Sequence, residues 1–395
     1  MTTPRRPAIL GGAPAFATRV PVARPFLPPM ELVTRRASAS YERGQLTNGV
    51  LVRQLEEEAA AYLRVGHVVA VASCTSGLML AIRALRPRGP VVLPSFTFSA
   101  SAHAVAWNGL AVAFCDVDLA TCQIDAIDAG RRVSDLAAGA VLATHVFGAP
   151  CKAERVERLA RAAGIPVIFD AAHAFGATRV RRRVGGFGSA EVFSMSPTKL
   201  LVAGEGGLVA TDDAGLAEEV RLGRDYGNPG DYNTRFVGLN ARLSEFHAAT
   251  ALESLRMLDE HLERRRAAAG RYAEEIRGID GVEAQVVDPA DTSTYKDFTV
   301  RIDPVLYGLT RDELVAALAA EGVETRCYFD PPVHRQQAYA GAPRCVLPLT
   351  DRLAAEVISL PMFGALETKV AARVAALVAE LPAAMRAWGP AVTTA

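Results

Sequence analysis

The chain has 395 residues, is 50% hydrophobic and carries 43 basic against 43 acidic side chains. That length supports a large core divided into two or three structural units, and a formal charge of zero excludes the broad electrostatic field of a nucleic-acid or membrane-surface binder, so any anion must be held locally. The six cysteines, Cys74, Cys115, Cys122, Cys151, Cys327 and Cys345, form no CxxC pair and no zinc-like His/Cys spacing; they read as reduced thiols, and no metal is expected.

Near the N-terminus, Arg5 and Arg6 precede an apolar run too short and too broken by Gly and Pro for a secretion signal. The most apolar stretch, 68–82, contains Ser73, Thr75, Ser76 and Gly77 and falls short of the ~20 residues that cross a bilayer, so a soluble, cytoplasmic protein is expected. From about residue 68 to 213, β-rich runs alternate with Ala-rich helical ones: VVAVAS then SGLMLAIRALR, VVLPS then FSASAHAVAWNG, AVAFCDVD, AVLATHVFG then KAERVERLARAAG, PVIFDAA, AEVFSMS and GLVATDD. This alternation predicts an α/β fold. Its strands are continuous apolar runs, as a mainly parallel sheet covered on both faces requires, and ligands of such sheets gather at the strands' carboxyl ends. Helical spacing over 244–276 predicts one long helix leaving a large unit of residues 1–250. Beyond it, FTVRIDP, VETRCYF and TKVAARVAALVAELPAAM predict a smaller α+β unit over 251–395. The basic runs 181–183 and 264–266 lack interleaved aromatics and read as solvated faces, so no nucleic-acid partner is expected.

Two residues carry the chemical signal. Lys199 lies in FSMSPTKLLVAGEGG, and Asp170 lies in FDAAHAFG, at the end of the strand-like run PVIFD. A lysine that can hold an aldehyde covalently, with a carboxylate that can keep a pyridine nitrogen protonated, is the pair that pyridoxal 5′-phosphate (PLP) needs. Alone, each has a plainer reading as a surface lysine or a helix-capping acid. The turn ASCTSG adds a strand running into a helix through Thr75 and Ser76, whose hydroxyls and first-turn amides suit a phosphate. Ser194, five residues before Lys199, is placed to reach the same phosphate, Phe98 to stack on a flat ring, and His173 to reach the ligand's edge. A nicotinamide-dependent oxidoreductase is disfavoured, because the glycines at 185–188 and 204–207 do not follow G-x-G-x-x-G spacing at a first strand-to-helix turn.

Together with RGQLTNG, VVLPSFTFSASAHAV, THVFGAPC and GLNARLSEFHAA, these motifs resemble, in order and over nearly the whole chain, the DegT/StrS-type PLP-dependent nucleotide-sugar aminotransferases of fold type I. The resemblance implies a large domain with a mainly parallel seven-stranded sheet and a smaller C-terminal domain. It implies Lys199 as the covalent anchor and proton carrier and Asp170 as the partner of the pyridine nitrogen. It places His173 beside the ring hydroxyl, Phe98 on the ring, and Thr75, Ser76 and Ser194 at the phosphate. Asn240 corresponds to an asparagine that reaches the neighbouring subunit's phosphate, which implies a homodimer with shared active sites. Leu239 stands where many relatives have tyrosine.

The presence of Lys199, which the dehydratase branch replaces with histidine, points to transamination. The resemblance implies L-glutamate as amino donor, a cofactor cycling through pyridoxamine phosphate, and a dTDP-hexose acceptor, nearest to dTDP-4-keto-6-deoxyglucose, in antibiotic or polysaccharide sugar biosynthesis. Thr47, Asn48, Arg242 and His334 are candidate substrate contacts. A 3-keto-sugar or cyclitol aminotransferase is the alternative, and a catalytically inert regulatory protein on the same fold is the alternative of another class.

Overall fold

The computed structural model describes residues 4–342 and 345–388. The apolar runs form the strands His67–Val71 (β1), Val91–Pro94 (β2), Val112–Cys115 (β3), Ala140–Thr144 (β4) and Val167–Asp170 (β5). After a short hairpin, Thr178–Arg179 (β6) and Arg182–Arg183 (β7), follow Ala190–Ser194 (β8) and Gly207–Thr211 (β9). Seven of them make one sheet in the order β1-β9-β8-β5-β4-β2-β3, in which β9 runs antiparallel to both neighbours and the remaining pairs are parallel. Helices cover both faces, and buried Val, Leu, Ile and Ala fill the layers between, which is why these strands show no polar alternation. The expected mainly parallel seven-stranded sheet is therefore present, with one antiparallel strand near an edge.

Two glycines fix the sheet against its first helix. A Cβ on Gly77 would lie 2.8 Å from Val192 Cγ1, so the helix Cys74–Leu85 rests directly on β8. A Cβ on Gly207 would lie 2.6 Å from Cys74 N, which brings the start of that helix onto the first residue of β9. The helix N-terminus is thereby held over the carboxyl edge of the sheet.

The long helix expected over 244–276 is two helices, Glu245–Arg256 and Leu258–Ile276, broken at Met257. Leu252, Leu255, Leu258 and Leu262, packed in one cluster at steps of three, three and four, keep helical spacing across the break, so periodicity alone could not reveal it. The second helix packs on a small antiparallel sheet of Val282–Ala284 (β10), Phe298–Ile302 (β11) and Val357–Leu360 (β12), over a separate apolar core. VETRCYF is irregular and touches that sheet by one bridge, Arg326 to Ser359. The N-terminal segment also joins this smaller unit, through Val20 paired with Val323 and the amides of Ala8 and Ala15 on the Glu321 carboxylate. Among the described residues no helix is long and apolar enough to cross a membrane.

Candidate active site

The carboxyl ends of β2, β4, β5 and β8 open onto a cavity of about 360 Å³. Asp170, the last residue of β5, lies at its buried end. Its Oδ2 accepts from the Ser101 hydroxyl at 2.6 Å and its Oδ1 from the Ala172 amide at 3.1 Å. Ser101 is tied in turn to Thr97 at 3.0 Å, and Thr97 to Thr144 at 3.1 Å, so a chain of buried hydroxyls from three segments fixes the carboxylate's orientation. Ala172 offers a small, flat wall beside it, and Phe98, 62% exposed, lines the mouth.

At another wall the helix Cys74–Leu85 begins. Ser73 caps it: the Ser73 hydroxyl accepts from the Ser76 amide, and Ser76 Oγ accepts from the Ser73 amide while donating to the Ser73 carbonyl. The Ser76 hydroxyl is thus consumed by the cap, which separates the two expected phosphate hydroxyls: Thr75 lines the cavity and Ser76 does not. Ser194 ends β8 and lines it too, with Ser196 Oγ at 3.3 Å. The Thr75 and Ser194 hydroxyls thus line the cavity beside a helix N-terminus, the kind of place where hydroxyls and first-turn amides can hold an anion without any net charge on the protein.

Lys199 enters from the loop between β8 and β9. Its ammonium has no carboxylate within ion-pair distance among the described residues. Burial lowers its proton affinity first and the Lys296 cation adds to that, against weaker pulls from Asp297, Cys74 and Asp170, bringing it down to about 8. A substantial neutral fraction at working pH is what a nucleophilic, proton-carrying lysine requires. His173, also lining the cavity, is held well below its ordinary value by burial, then by Lys199 and Lys296. Neutral imidazole keeps one donor and one acceptor, and Nδ1 is buried with no partner. Facing groups from the smaller unit complete the wall: Lys296, Asp297, Tyr328 and Phe329.

Of the residues singled out from sequence, the cavity collects Thr75, Phe98, Asp170, His173, Ser194 and Lys199. Thr47, Asn48, Asn240 and Arg242 lie elsewhere, as neighbours on an outer face. Thr47 bridges Ser244, the Asn48 amide donates to the Leu243 carbonyl, exposed Asn240 bridges Asp225, and Arg242 pairs with Asp225 at 2.7 Å. His334 lies in a separate hollow with Phe114, Arg335 and Tyr339, so the expected sugar contact is not made in this cavity. The Ser95 hydroxyl meets its Nδ1 at 2.7 Å and accepts from its amide, fastening the 333–335 turn to the end of β2. Sequence reasoning passed over Thr97, Ser101, Thr144, Lys296, Asp297 and Tyr328. A Lys-Asp pair set immediately before the apolar β11 was the readable signal.

These residues fit PLP on structural grounds: a buried, hydrogen-bonded carboxylate, a lysine of depressed proton affinity, an orphaned imidazole nitrogen and a hydroxyl-lined helix start share one cavity. Comparison with known proteins agrees. Residues 31–379 match the model of the DegT/DnrJ/EryC1/StrS aminotransferase family. The UDP-N-acetyl-3-dehydro-alpha-D-glucosamine 3-aminotransferase of Acidithiobacillus ferrooxidans is 35% identical over 82% of this chain and 87% of its own. The dTDP-3-amino-3,4,6-trideoxy-alpha-D-glucose transaminase of Streptomyces venezuelae is 34% identical over 84% and 87%. The crystal structure of DesI with its TDP-sugar product superposes with a TM-score of 0.89 at 37% identity, covering 95% of this chain and 96% of that one. The chain therefore belongs to the DegT/DnrJ/EryC1/StrS family and is a PLP-dependent sugar aminotransferase.

Proposed function

We propose that the protein moves the amino group of L-glutamate to a keto-deoxy sugar carried on dTDP, with dTDP-4-keto-6-deoxyglucose as acceptor and dTDP-4-amino-4,6-dideoxyglucose as product. The observation that carries this reading is Lys199, a lysine without a carboxylate partner, in the same cavity as the buried and fully oriented Asp170. The likeness to DesI, solved with a TDP-sugar product, supports the nucleotide and covers nearly all of both chains.

Bound PLP supplies an electrophilic aldehyde carbon and a ring that withdraws electrons from the carbon losing a proton. Asp170 would hold the ring N–H, its own position set by Ser101 and Ala172. His173 would donate to the ring oxygen from a neutral imidazole, while Thr75, Ser194 and the first-turn amides would hold the phosphate. Lys199 would anchor the aldehyde carbon between turnovers. Released, its amine would move a proton from the donor's α-carbon to the cofactor carbon that bore the aldehyde, and in the second half-reaction would return one from there to the sugar carbon that gains nitrogen. Tyr328 and Phe329, brought over by the smaller unit, narrow the cavity and limit water around that transfer.

A homodimer with shared sites is part of this proposal. Asn240 and Arg242 sit on a face that also exposes Leu46, Val50, Tyr226, Val237 and Phe246, an apolar surface suited to a second copy. A 3-keto sugar is the second reading, favoured by the names of the Acidithiobacillus ferrooxidans and Streptomyces venezuelae relatives, at 35% and 34% identity. The test is to incubate PLP-loaded protein with glutamate and dTDP-4-keto-6-deoxyglucose and to locate the new amine by NMR. An amine at C4 supports the proposal. No product from this sugar, with product from a 3-keto nucleotide sugar, would replace it by the second reading.

A further inference from the structure

The donor half-reaction needs a cation that recognises the amino acid's carboxylate, and no residue assigned so far supplies one: Lys199 is committed to proton transfer and Arg242 lies on the outer face. The cavity contains a second lysine, Lys296, only 3% exposed. Its ammonium meets Asp297 Oδ1 at 2.8 Å, its one hydrogen-bond acceptor among the described residues, and lies 5.9 Å from the centroid of the Tyr328 ring. Two of the three ammonium donors are left for a ligand. Asp297 Oδ2 is buried without a partner, so the pair is built into the cavity wall with its polar capacity unfilled.

The position of this lysine is fixed from behind. Arg265, fully buried in the helix Leu258–Ile276, donates to the Tyr295 carbonyl at 2.9 Å, to the Lys296 carbonyl at 3.1 Å and to the Met362 carbonyl at 3.3 Å. The same segment is pinned to the His173 loop, because the Thr294 hydroxyl donates to the His173 carbonyl at 2.6 Å and the Thr294 amide to the Gly148 carbonyl at 3.1 Å. Lys296 is therefore attached to the side of the cavity bearing His173, and not to the helix start at Thr75 where an anionic phosphate already has its donors. Its field falls on both Lys199 and His173, the groups beside the reacting carbon. A buried ammonium with free donors, held rigidly near the proton-carrying lysine, matches a small carboxylate in charge and size.

We propose that Lys296, held by Asp297 and by the Arg265 grip on its carbonyl, binds a carboxylate of the amino donor. This rests on the reading of the donor as L-glutamate. Burial of the ammonium against Tyr328 makes the interaction stronger than a surface contact, and the fixed backbone means that little ordering accompanies donor binding.

The test uses PLP-loaded protein and glutarate, a dicarboxylate without an amine, as a calorimetric probe. Lys296→Met is expected to weaken glutarate binding by about tenfold or more, the size of one lost charge-assisted hydrogen bond. The same variant should raise the KM for glutamate by a similar factor, with a smaller change in kcat and no change in the KM for the keto sugar. Lys296→Arg should recover part of the loss, which a merely structural role would not give. Unchanged glutarate affinity and glutamate KM in Lys296→Met would overturn the proposal, as would a rise confined to the sugar's KM, which would assign Lys296 to the nucleotide diphosphate. If Lys296→Met fails to fold, Lys296→Gln takes its place with the same expectations. Wild-type protein that ignores glutamate altogether would overturn the donor reading, whereas a responsive wild type with an equally responsive Met variant overturns only the role of Lys296.

Discussion

Two buried polar clusters hang from the central strands of the same sheet, and they are built to opposite rules. In the first, Glu191 of β8 meets His145 Nε2 at 2.8 Å, accepts from the amides of Gly185 and Phe187, and leaves His145 Nδ1 to accept from the Cys151 amide at 3.0 Å. Both side chains are fully buried and all their polar atoms are used. In the second cluster, at the carboxyl edge, His173 Nδ1 and Asp297 Oδ2 have no partner and Lys199 has no counter-ion, although each is enclosed. Buried polar groups are ordinarily satisfied by the protein itself, so a cluster that leaves several open is shaped for a ligand, and a closed one holds the fold together.

That contrast predicts opposite mutational signatures. Lys199→Ala should lower turnover by about 10⁴-fold or more, since it removes both the anchor and the proton carrier, and should leave the thermal midpoint unchanged or higher because a buried cation without a counter-ion is removed. Steady-state kinetics beside thermal unfolding checks both halves. Glu191→Ala should do the reverse, costing about 3–5 kcal/mol of stability in urea titration by stranding His145 and two amides, with turnover per folded molecule little affected. Asp170→Asn should retain PLP yet lower turnover by roughly 10²–10³-fold, read as cofactor stoichiometry against kcat. Asn240→Ala should weaken PLP retention by about tenfold, and mixing it with Lys199→Ala should restore activity in hybrid dimers with one intact site. No recovery despite demonstrated subunit exchange would count against shared sites. The smallest effect is in pH. Because Lys199 is lowered to about 8, its nucleophilic neutral form grows as pH rises through that value, so PLP capture by cofactor-free protein should accelerate between pH 7 and 9 and level off above. A rate still rising steeply above pH 10 would mean that Lys199 titrates like an exposed lysine.

The large sheet was legible because its strands are mostly continuous apolar runs, Glu191 in β8 being an interruption, and Asp170, Ser194 and Lys199 were legible because they sit at or just beyond strand ends, where α/β sheets bind ligands. The break at Met257 was hidden, because the apolar spacing keeps its phase through it. Ser76 is expected at the phosphate from its place at a strand-to-helix turn and from the resemblance, and only geometry shows its hydroxyl turned back into the Ser73 cap. Ser101 and Thr144 support Asp170 from segments 69 and 26 residues away in the chain, a separation at which local pattern carries no information. Lys296 arrives from the smaller unit by a route that no spacing in the sequence encodes, although the charged pair at 296–297 beside an apolar strand marks the place.

The cavity contains two lysines, and their different surroundings are the sharpest claim of this structure: Lys296 is paired with Asp297, while Lys199 is buried without a counter-ion. Borohydride reduction of the PLP-loaded protein, followed by proteolysis and peptide mass mapping, reads directly which amine holds the cofactor. The pyridoxyl mass should appear on the peptide containing Lys199, at about one per chain, and be absent from the peptide containing Lys296. A label on Lys296, or no label on either, would contradict the assignment.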